Sequence, residues 1–347
     1  METLGNLDVG GSTLAFVTSR PAEGADIDTI DASELDATDD DPRTCLSALN
    51  DELIEEYPMP KCTRIMFESS GSPETRQSIE GDGDADSGGG ETSSTEVGGI
   101  VYSPPEFDPE NPDPRGLVLD IHGGPMAYDA PSFGFQDAYF VSRGYIVLKV
   151  NYRGSTSYGR AFCEVLKGNW GTVEIDDLQA GVDELIERGW ADPDRLFPTG
   201  LSQGGVNTAY LVTRDNRWAA AAAEHGIYDL RSVFGTGDSQ NWCADEYGLP
   251  WENLDRYEKH SSITDVGEIE TPLLVTAGGE DWRSPPSQSE QLYVSVRKQG
   301  IDAKLVVYPD EHHNIGDPDR AIHRLEALDD WFATYDLGRE DQNGGET

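Results

Sequence analysis

The sequence predicts an α/β protein: a mostly parallel, doubly wound sheet with helices on both faces, preceded by a short β segment. Three observations predict it. From residue 116 onward, short apolar runs alternate with stretches of helical periodicity. The runs are continuous more than alternating, as expected of strands covered on both faces. Finally, the apolar run Arg195 to Leu201 ends in Gly200-Leu201-Ser202-Gln203-Gly204 and enters a helical pattern with no loop between. That is a strand, a tight turn and a helix, with Ser202 at the apex.

Residues 1–56 read differently from the rest. Gly11 to Thr18 predicts one strand and Asp26 to Ile30 a second, among acidic, turn-rich segments such as Asp39-Asp40-Asp41-Pro42. Leu46 to Leu53 reads as a connector. A β structure of this size is marginal alone in water. Alternation returns over Cys62 to Glu68, with Gly98 to Ser103 as the partner strand. Residues 72–95 between them are acidic and rich in Gly and Ser, a composition that predicts a disordered insertion.

The remaining strands are predicted at Gly116 to Ile121, Tyr145 to Asn151, Arg195 to Leu201, Ala219 to Glu224, Pro272 to Ala277 and Ala303 to Tyr308. Ile175, Leu178, Val182, Leu185 and Ile186 mark one helical face; Ile322, Leu325, Leu328, Trp331 and Phe332 mark another. Strand–helix alternation of this length argues for one large domain, residues 57–336, followed by a disordered tail, 337–347.

The 347 residues carry 66 acidic and 25 basic side chains, a formal net charge of −41. Six of the basic residues are Lys and 19 are Arg. Acidic excess with scarce Lys, spread through the whole chain, points to a protein that works in concentrated salt. At ~1 M salt the Debye length falls to roughly 3 Å and such self-repulsion is screened. Binding to nucleic-acid backbones needs clustered Lys and Arg and is disfavoured. Cys45, Cys62, Cys163 and Cys243 lack the spacing of a disulfide scaffold or a zinc site. The N-terminus has no basic region followed by an apolar stretch, and no apolar run approaches the ~18 residues that span a bilayer. The expected compartment is the cytoplasm, with no membrane partner.

A serine hydroxyl is a poor nucleophile until a base accepts its proton and a third group holds that base in one tautomer. On a doubly wound sheet the partners follow later strands, in the order Ser, acid, His. Pro272 to Ala277 runs into Gly278-Gly279-Glu280-Asp281-Trp282-Arg283, and Lys304 to Tyr308 into Pro309-Asp310-Glu311-His312-His313-Asn314. Glu280 competes with Asp281, and position alone does not separate His312 from His313; Asp265, Asp302 and Asp310 are expected at the surface. A metal reading of Glu311-His312-His313 finds no supporting ligand spacing elsewhere. His225, at a strand end, has two readings, lining the site or packed, of which the packed one is favoured; His260 and His323 are expected to be solvated. Two donors for a tetrahedral oxyanion are offered by the amides of Gln203 and of Gly124, in Ile121-His122-Gly123-Gly124-Pro125.

With these pieces in place, the chain resembles the catalytic domain of the prolyl oligopeptidase family of serine peptidases, closest to its acylaminoacyl-peptidase branch. The likeness rests on His122-Gly-Gly-Pro125, Asn151 to Arg160, Gly168-Asn-Trp-Gly171 with Asp176-Asp177, Gly200 to Gly205, Asp281-Trp-Arg283 with Gln288 to Tyr293, and Tyr308 to His313. It implies an α/β-hydrolase fold, with Ser202 as nucleophile, Asp281 as acid and His313 as base. His312 becomes a spacer in the family pattern. The resemblance also implies substrate contacts at Arg283 and Tyr152, a peptide substrate (acylaminoacyl-peptides included), and no cofactor or metal. Gln203 stands where the family usually has an aromatic residue. Family members place a large β-propeller before the hydrolase domain. Here residues 1–56 read as a remnant of one blade plus a connector, with weakened size selection expected; rejection of a large unfolded protein would sink that expectation. A carboxylesterase and an inactive remnant are the alternative readings. The N-terminal strands are candidates for pairing with a second copy, so a homo-oligomer is one expected state.

Overall fold

The computed structural model describes residues 3–22, 24–34, 42–47, 49–71 and 94–338. Two sheets are present among them. The first is antiparallel, in the order β1 (Thr3–Gly10), β2 (Thr13–Arg20), β3 (Gly24–Asp31), β4 (Thr44–Cys45). The two strands expected here are β2 and β3. β1 escapes a reading of the sequence because Gly5, Asn6 and Asp8 are poor strand formers, and its register shifts between Gly5 and Asp8.

The second sheet has eight strands. In chain order these are β5 (Lys61–Ser70), β6 (Ser94–Ser103), β7 (Arg115–Ile121), β8 (Ile146–Asn151), β9 (Ala191–Leu201), β10 (Ala221–Glu224), β11 (Leu273–Gly278) and β12 (Ala303–Tyr308). Across the sheet they run β12-β11-β10-β9-β7-β8-β6-β5. β7 to β12 are mutually parallel, and β5 and β6 close one edge antiparallel. This is the α/β-hydrolase arrangement. Ser94 and Thr95, assigned to the disordered insertion from composition, instead open β6, with Thr95 buried and its hydroxyl donating to the Gly71 carbonyl. The rest of that insertion, 72–93, and tail residues 339–347 lie outside the described residues.

The helices are α1 (Asp51–Glu56), α2 (Phe135–Ser142), α3 (Arg160–Glu164), α4 (Val173–Glu187), α5 (Gln203–Arg214), α6 (Leu230–Thr236), α7 (Gln240–Tyr247), α8 (Leu254–Lys259), α9 (Pro286–Lys298) and α10 (Pro318–Tyr335). Successive strand residues point to opposite faces, and the core divides accordingly. Leu117, Leu119, Ile146, Leu148 and Val275 pack with α4, α5 and α9; Val118, Val147, Phe197 and Leu274 pack with α2 and α10. Both faces are covered, which is why the strands read as unbroken apolar runs. Of the two expected helical faces, only Ile322 departs clearly, being 52% exposed at the start of α10.

β10 is unusual in composition: Ala221, Ala222 and Ala223 follow Ala219 and Ala220, and all four from Ala220 onward are fully buried. Small side chains let α5 lie close over the strand.

A second packing feature accounts for Arg153 and Asp177 within the Asn151-Tyr152-Arg153 and Asp176-Asp177 motifs. Arg153 is 0% exposed. Its guanidinium meets Asp177 Oδ1 at 2.6 Å and the Ser70 carbonyl at 2.7 Å, while its amide donates to Asp177 Oδ2. Removing one partner would leave the other charge buried and uncompensated. Arg153→Ala is expected to cost about 3–5 kcal/mol, read as a lower denaturation midpoint in urea; an unchanged midpoint would refute it.

Candidate active site

Backbone contacts dictate the turn that carries Ser202. Its φ is 63° and ψ −119°, a left-handed conformation between β9 and α5. A methyl group at Gly200 or Gly204 would overlap the carbonyl oxygen of Ile121, and one at Gly205 that of Glu224. The Ser202 amide donates to the Glu224 carbonyl at 2.9 Å, fixing the turn on β10. Gly204→Ala is expected to cost about 3 kcal/mol, because a main-chain oxygen cannot step aside as a side chain would. Wild-type melting temperature together with wild-type labelling by a fluorophosphonate would contradict this.

Three side chains from separate loops meet above the turn. His313 Nε2 lies 2.8 Å from Ser202 Oγ, and His313 Nδ1 lies 2.8 Å from Asp281 Oδ2. A carboxylate only accepts, so Nδ1 carries the ring proton and Nε2 is free to accept from the serine hydroxyl. Asp281 is 2% exposed, and its Oδ1 accepts the amides of Arg283 (2.8 Å) and Ser284 (2.9 Å). The competitors point elsewhere: Glu280 is exposed, and the exposed His312 donates from Nδ1 to the Glu280 carbonyl. Glu311 accepts the amides of Gly316 and Asp317 and a guanidinium N–H of Arg320, closing the loop that holds His313.

The 122–124 segment crosses directly over the turn: a methyl at Gly123 would stand 3.4 Å from Ser202 Cβ and 4.0 Å from the Gln203 nitrogen. Gly124 and Gln203 line the same cavity as Ser202. The Gln203 side chain is turned into α5, where Nε2 donates to Asn207, so its amide rather than its side chain is the group toward Ser202. Tyr152, expected to touch substrate, does not. It is 0% exposed beneath this segment, its ring stacked on His122 at 4.3 Å and its hydroxyl donating to the His122 carbonyl at 2.9 Å. Its apolar neighbours claim it for the core.

The cavity beside Ser202 has a volume of about 380 Å³. Val206, Ile227, Trp170 and Trp242 form its apolar walls, the two indoles 4.7 Å apart. Arg283 lines the rim, paired with Asp238 at 2.7 Å; this pairing holds the Asp238 carboxyl below its usual pKa. Sequence reasoning gives no role to Trp242, Ile227 or Asp238. A larger cleft of about 500 Å³, lined by Arg64, Met66, Tyr128 and Tyr158 among others, touches none of Ser202, Asp281 and His313.

Of the two histidines expected in solvent, one is there. His323 is exposed, but His260 is 4% exposed, its Nδ1 donating to the Trp170 carbonyl at 2.8 Å, so it props a cavity wall. Among the described residues, His225, Asp281 and His313 bring possible metal-ligating atoms within 4.8 Å of one another. Hydrogen bonds among them and to Ser202 already account for that closeness.

Comparison with known proteins identifies the family. The model of the prolyl oligopeptidase family matches residues 131–337. The chain belongs to the prolyl oligopeptidase family. The chain is similar to an uncharacterised Bacillus subtilis peptidase, YuxL, 34% identical over 243 residues, 68% of this chain and 36% of its own length. The acylamino-acid-releasing enzyme of Arabidopsis thaliana is 31% identical over 245 residues, 68% of this chain and 32% of the relative. A puromycin-hydrolysing peptidase of Mycobacterium tuberculosis superposes with a TM-score of 0.75 at 25% identity, over 96% of this chain and 47% of that one. The acylaminoacyl peptidase of Pyrococcus horikoshii shares the fold, with a TM-score of 0.80 at 21% identity over 99% of this chain and 51% of that one. The chain thus spans about a third of the length of its curated prolyl oligopeptidase relatives and about half that of the solved ones.

Proposed function

We propose that this chain is a serine peptidase that hydrolyses oligopeptides, acylaminoacyl-peptides among them, through an acyl-enzyme on Ser202. The continuous Asp281–His313–Ser202 hydrogen-bond chain carries the reading. Ser202 Oγ attacks the scissile carbonyl carbon while His313 Nε2 takes its proton. The oxyanion is received by the amides of Gln203 and Gly124, the first at the positive end of α5. His313 then returns the proton to the departing amine. A water, deprotonated by the same ring, attacks the ester carbon; the acid product leaves and Ser202 regains its hydrogen. Asp281 orients the imidazole and balances its transient charge.

Apolar walls beside the nucleophile favour an apolar side chain on the acyl side of the cut bond. Profiling with a peptide library in high salt tests this, alongside matched esters. Acyl-side preference for Asp, Glu or Lys would refute it, and turnover of esters with no peptide cleaved would replace the peptidase by an esterase. The homology to acylamino-acid-releasing enzymes supports the acylated class, tested by comparing N-acetylated and free peptides of one sequence.

The four-stranded antiparallel sheet at the N-terminus has the strand number of a propeller blade, which supports reading residues 1–56 as one blade and a connector. No helix among the described residues is long and apolar enough to cross a membrane; we take the cytoplasm as the compartment, which enzyme found in the medium or membrane fraction would contradict. The net charge of −41 supports work in concentrated salt. Circular dichroism is expected to show loss of structure as salt falls from about 2 M to 0.1 M; superimposable spectra would refute it.

A further inference from the structure

The carboxyl end of β10 ties together the loops that carry Ser202, Asp281 and His313. The Glu224 carbonyl accepts the Ser202 amide. The next amide, of His225, donates at 3.0 Å to the Thr276 carbonyl on β11, the strand that delivers Asp281. The His225 ring reaches the third loop: Nδ1 lies 3.1 Å from the carbonyl oxygen of His313 and 3.8 Å from Asp281 Oδ2.

A carbonyl oxygen only accepts, so His225 Nδ1 bears the proton in that bond. Nε2 is then a bare lone pair, buried and without a hydrogen-bond partner. A proton added there would meet no acceptor, and burial pushes the ring's pKa below its usual value. The ring is a neutral donor, aimed at the main chain of the residue whose side chain faces Ser202. It is 0% exposed, and its backbone is left-handed at φ 46°. Such a conformation is uncommon outside glycine, and space-filling alone does not call for it.

We propose that His225 is a positioning residue for the base. By donating to the His313 carbonyl it fixes where the His313 ring stands between Asp281 and Ser202 Oγ. This rests on reading Ser202, His313 and Asp281 as nucleophile, base and orienting acid. His225 reaches no substrate and acts only through His313.

Asparagine places its Nδ2 where histidine has Nδ1, and both asparagine and aspartate tolerate positive φ. The test compares His225→Asn, which keeps the donor, with His225→Gly, which keeps the backbone and loses the donor. His225→Asp has the shape of the Asn variant and donates nothing once its carboxyl is ionised, so it is assayed above that pH, and it replaces the Gly variant if that one melts early. All are assayed as the full chain in high salt. Since misplacing a reacting group by about 1 Å costs about 100-fold, kcat should fall about 10- to 100-fold in the Gly or Asp variant with KM within about twofold, and stay within about threefold in the Asn variant. The low-field proton of the His313–Asp281 hydrogen bond, seen by proton NMR, should shift or broaden in the Gly variant and persist in the Asn variant. Wild-type kcat in both the Gly and Asp variants, or an Asn variant as slow as Gly, would overturn the proposal. Should no chain, wild type included, turn over any peptide or ester, the peptidase reading falls. The NMR signal then decides the positioning role alone, and an unchanged proton in His225→Gly overturns it.

Discussion

Ser202→Ala is expected to lower peptide turnover by about 10⁴- to 10⁶-fold and to abolish labelling by a fluorophosphonate. The size follows from the geometry. Ser202 Oγ is the atom that His313 Nε2 faces at 2.8 Å, and without it the base has no hydroxyl to deprotonate. Residual rate would come from the cavity and the two amides acting on water. The fold should not suffer. The Ser202 amide keeps its bond to Glu224, and the glycines that admit the turn are untouched. A melting temperature within about 1 °C of wild type, a shift of under about 1 kcal/mol for a chain of this size, would separate lost chemistry from lost structure. Persistent stoichiometric labelling of the Ala variant would place the nucleophile elsewhere.

Asp281→Asn should be almost as damaging, with kcat reduced about 10⁴-fold. The carboxamide oxygen introduced by this substitution can still accept the amides of Arg283 and Ser284, so the loop is expected to keep its shape. The group facing His313 Nδ1 changes from an acceptor to an N–H donor. The ring must then put its proton on Nε2, toward Ser202, where a lone pair is required. The transient imidazolium also loses its counter-charge. Labelling should slow in parallel while the far-ultraviolet spectrum stays the same. A loss smaller than tenfold would mean that Asp281 does not set the tautomer, and would sink its assigned role.

Much of this is legible in the sequence. Strands covered on both faces are long apolar runs, and the Gly-x-Ser-x-Gly turn is local, so both survive in one dimension. The loops after β11 and β12 can be placed because parallel sheets deliver their loops to one edge. What escapes depends on partners far away in the chain. His260 sits in the polar stretch Lys259-His260-Ser261 and reads as solvated, but its ring bonds to Trp170, 90 residues earlier. Tyr152 belongs to a motif near the site and reads as a contact, yet the stacking of His122 and the burial around it place it underneath. Trp242 and Ile227 come from α7 and the loop after β10, segments whose local sequence has no catalytic signature. His225 reads as packed, which its burial matches; its bond to His313 joins residues 88 apart and leaves no trace in sequence spacing.

The alanines of β10 have one more consequence. The strand beneath Ser202 is already at minimal size, so evolution has little room there: enlargement at Ala221 or Ala223 would push α5 off the sheet, and enlargement at Ala222 would push off the helices of the opposite face. On the proposed reading, diversification toward new acyl groups would instead draw on Trp170, Ile227 and Trp242, which line the cavity from connections rather than from the sheet. Reactivity and selectivity are therefore inherited on nearly separate sets of residues, and libraries aimed at new substrates should randomise the second set and leave the first alone.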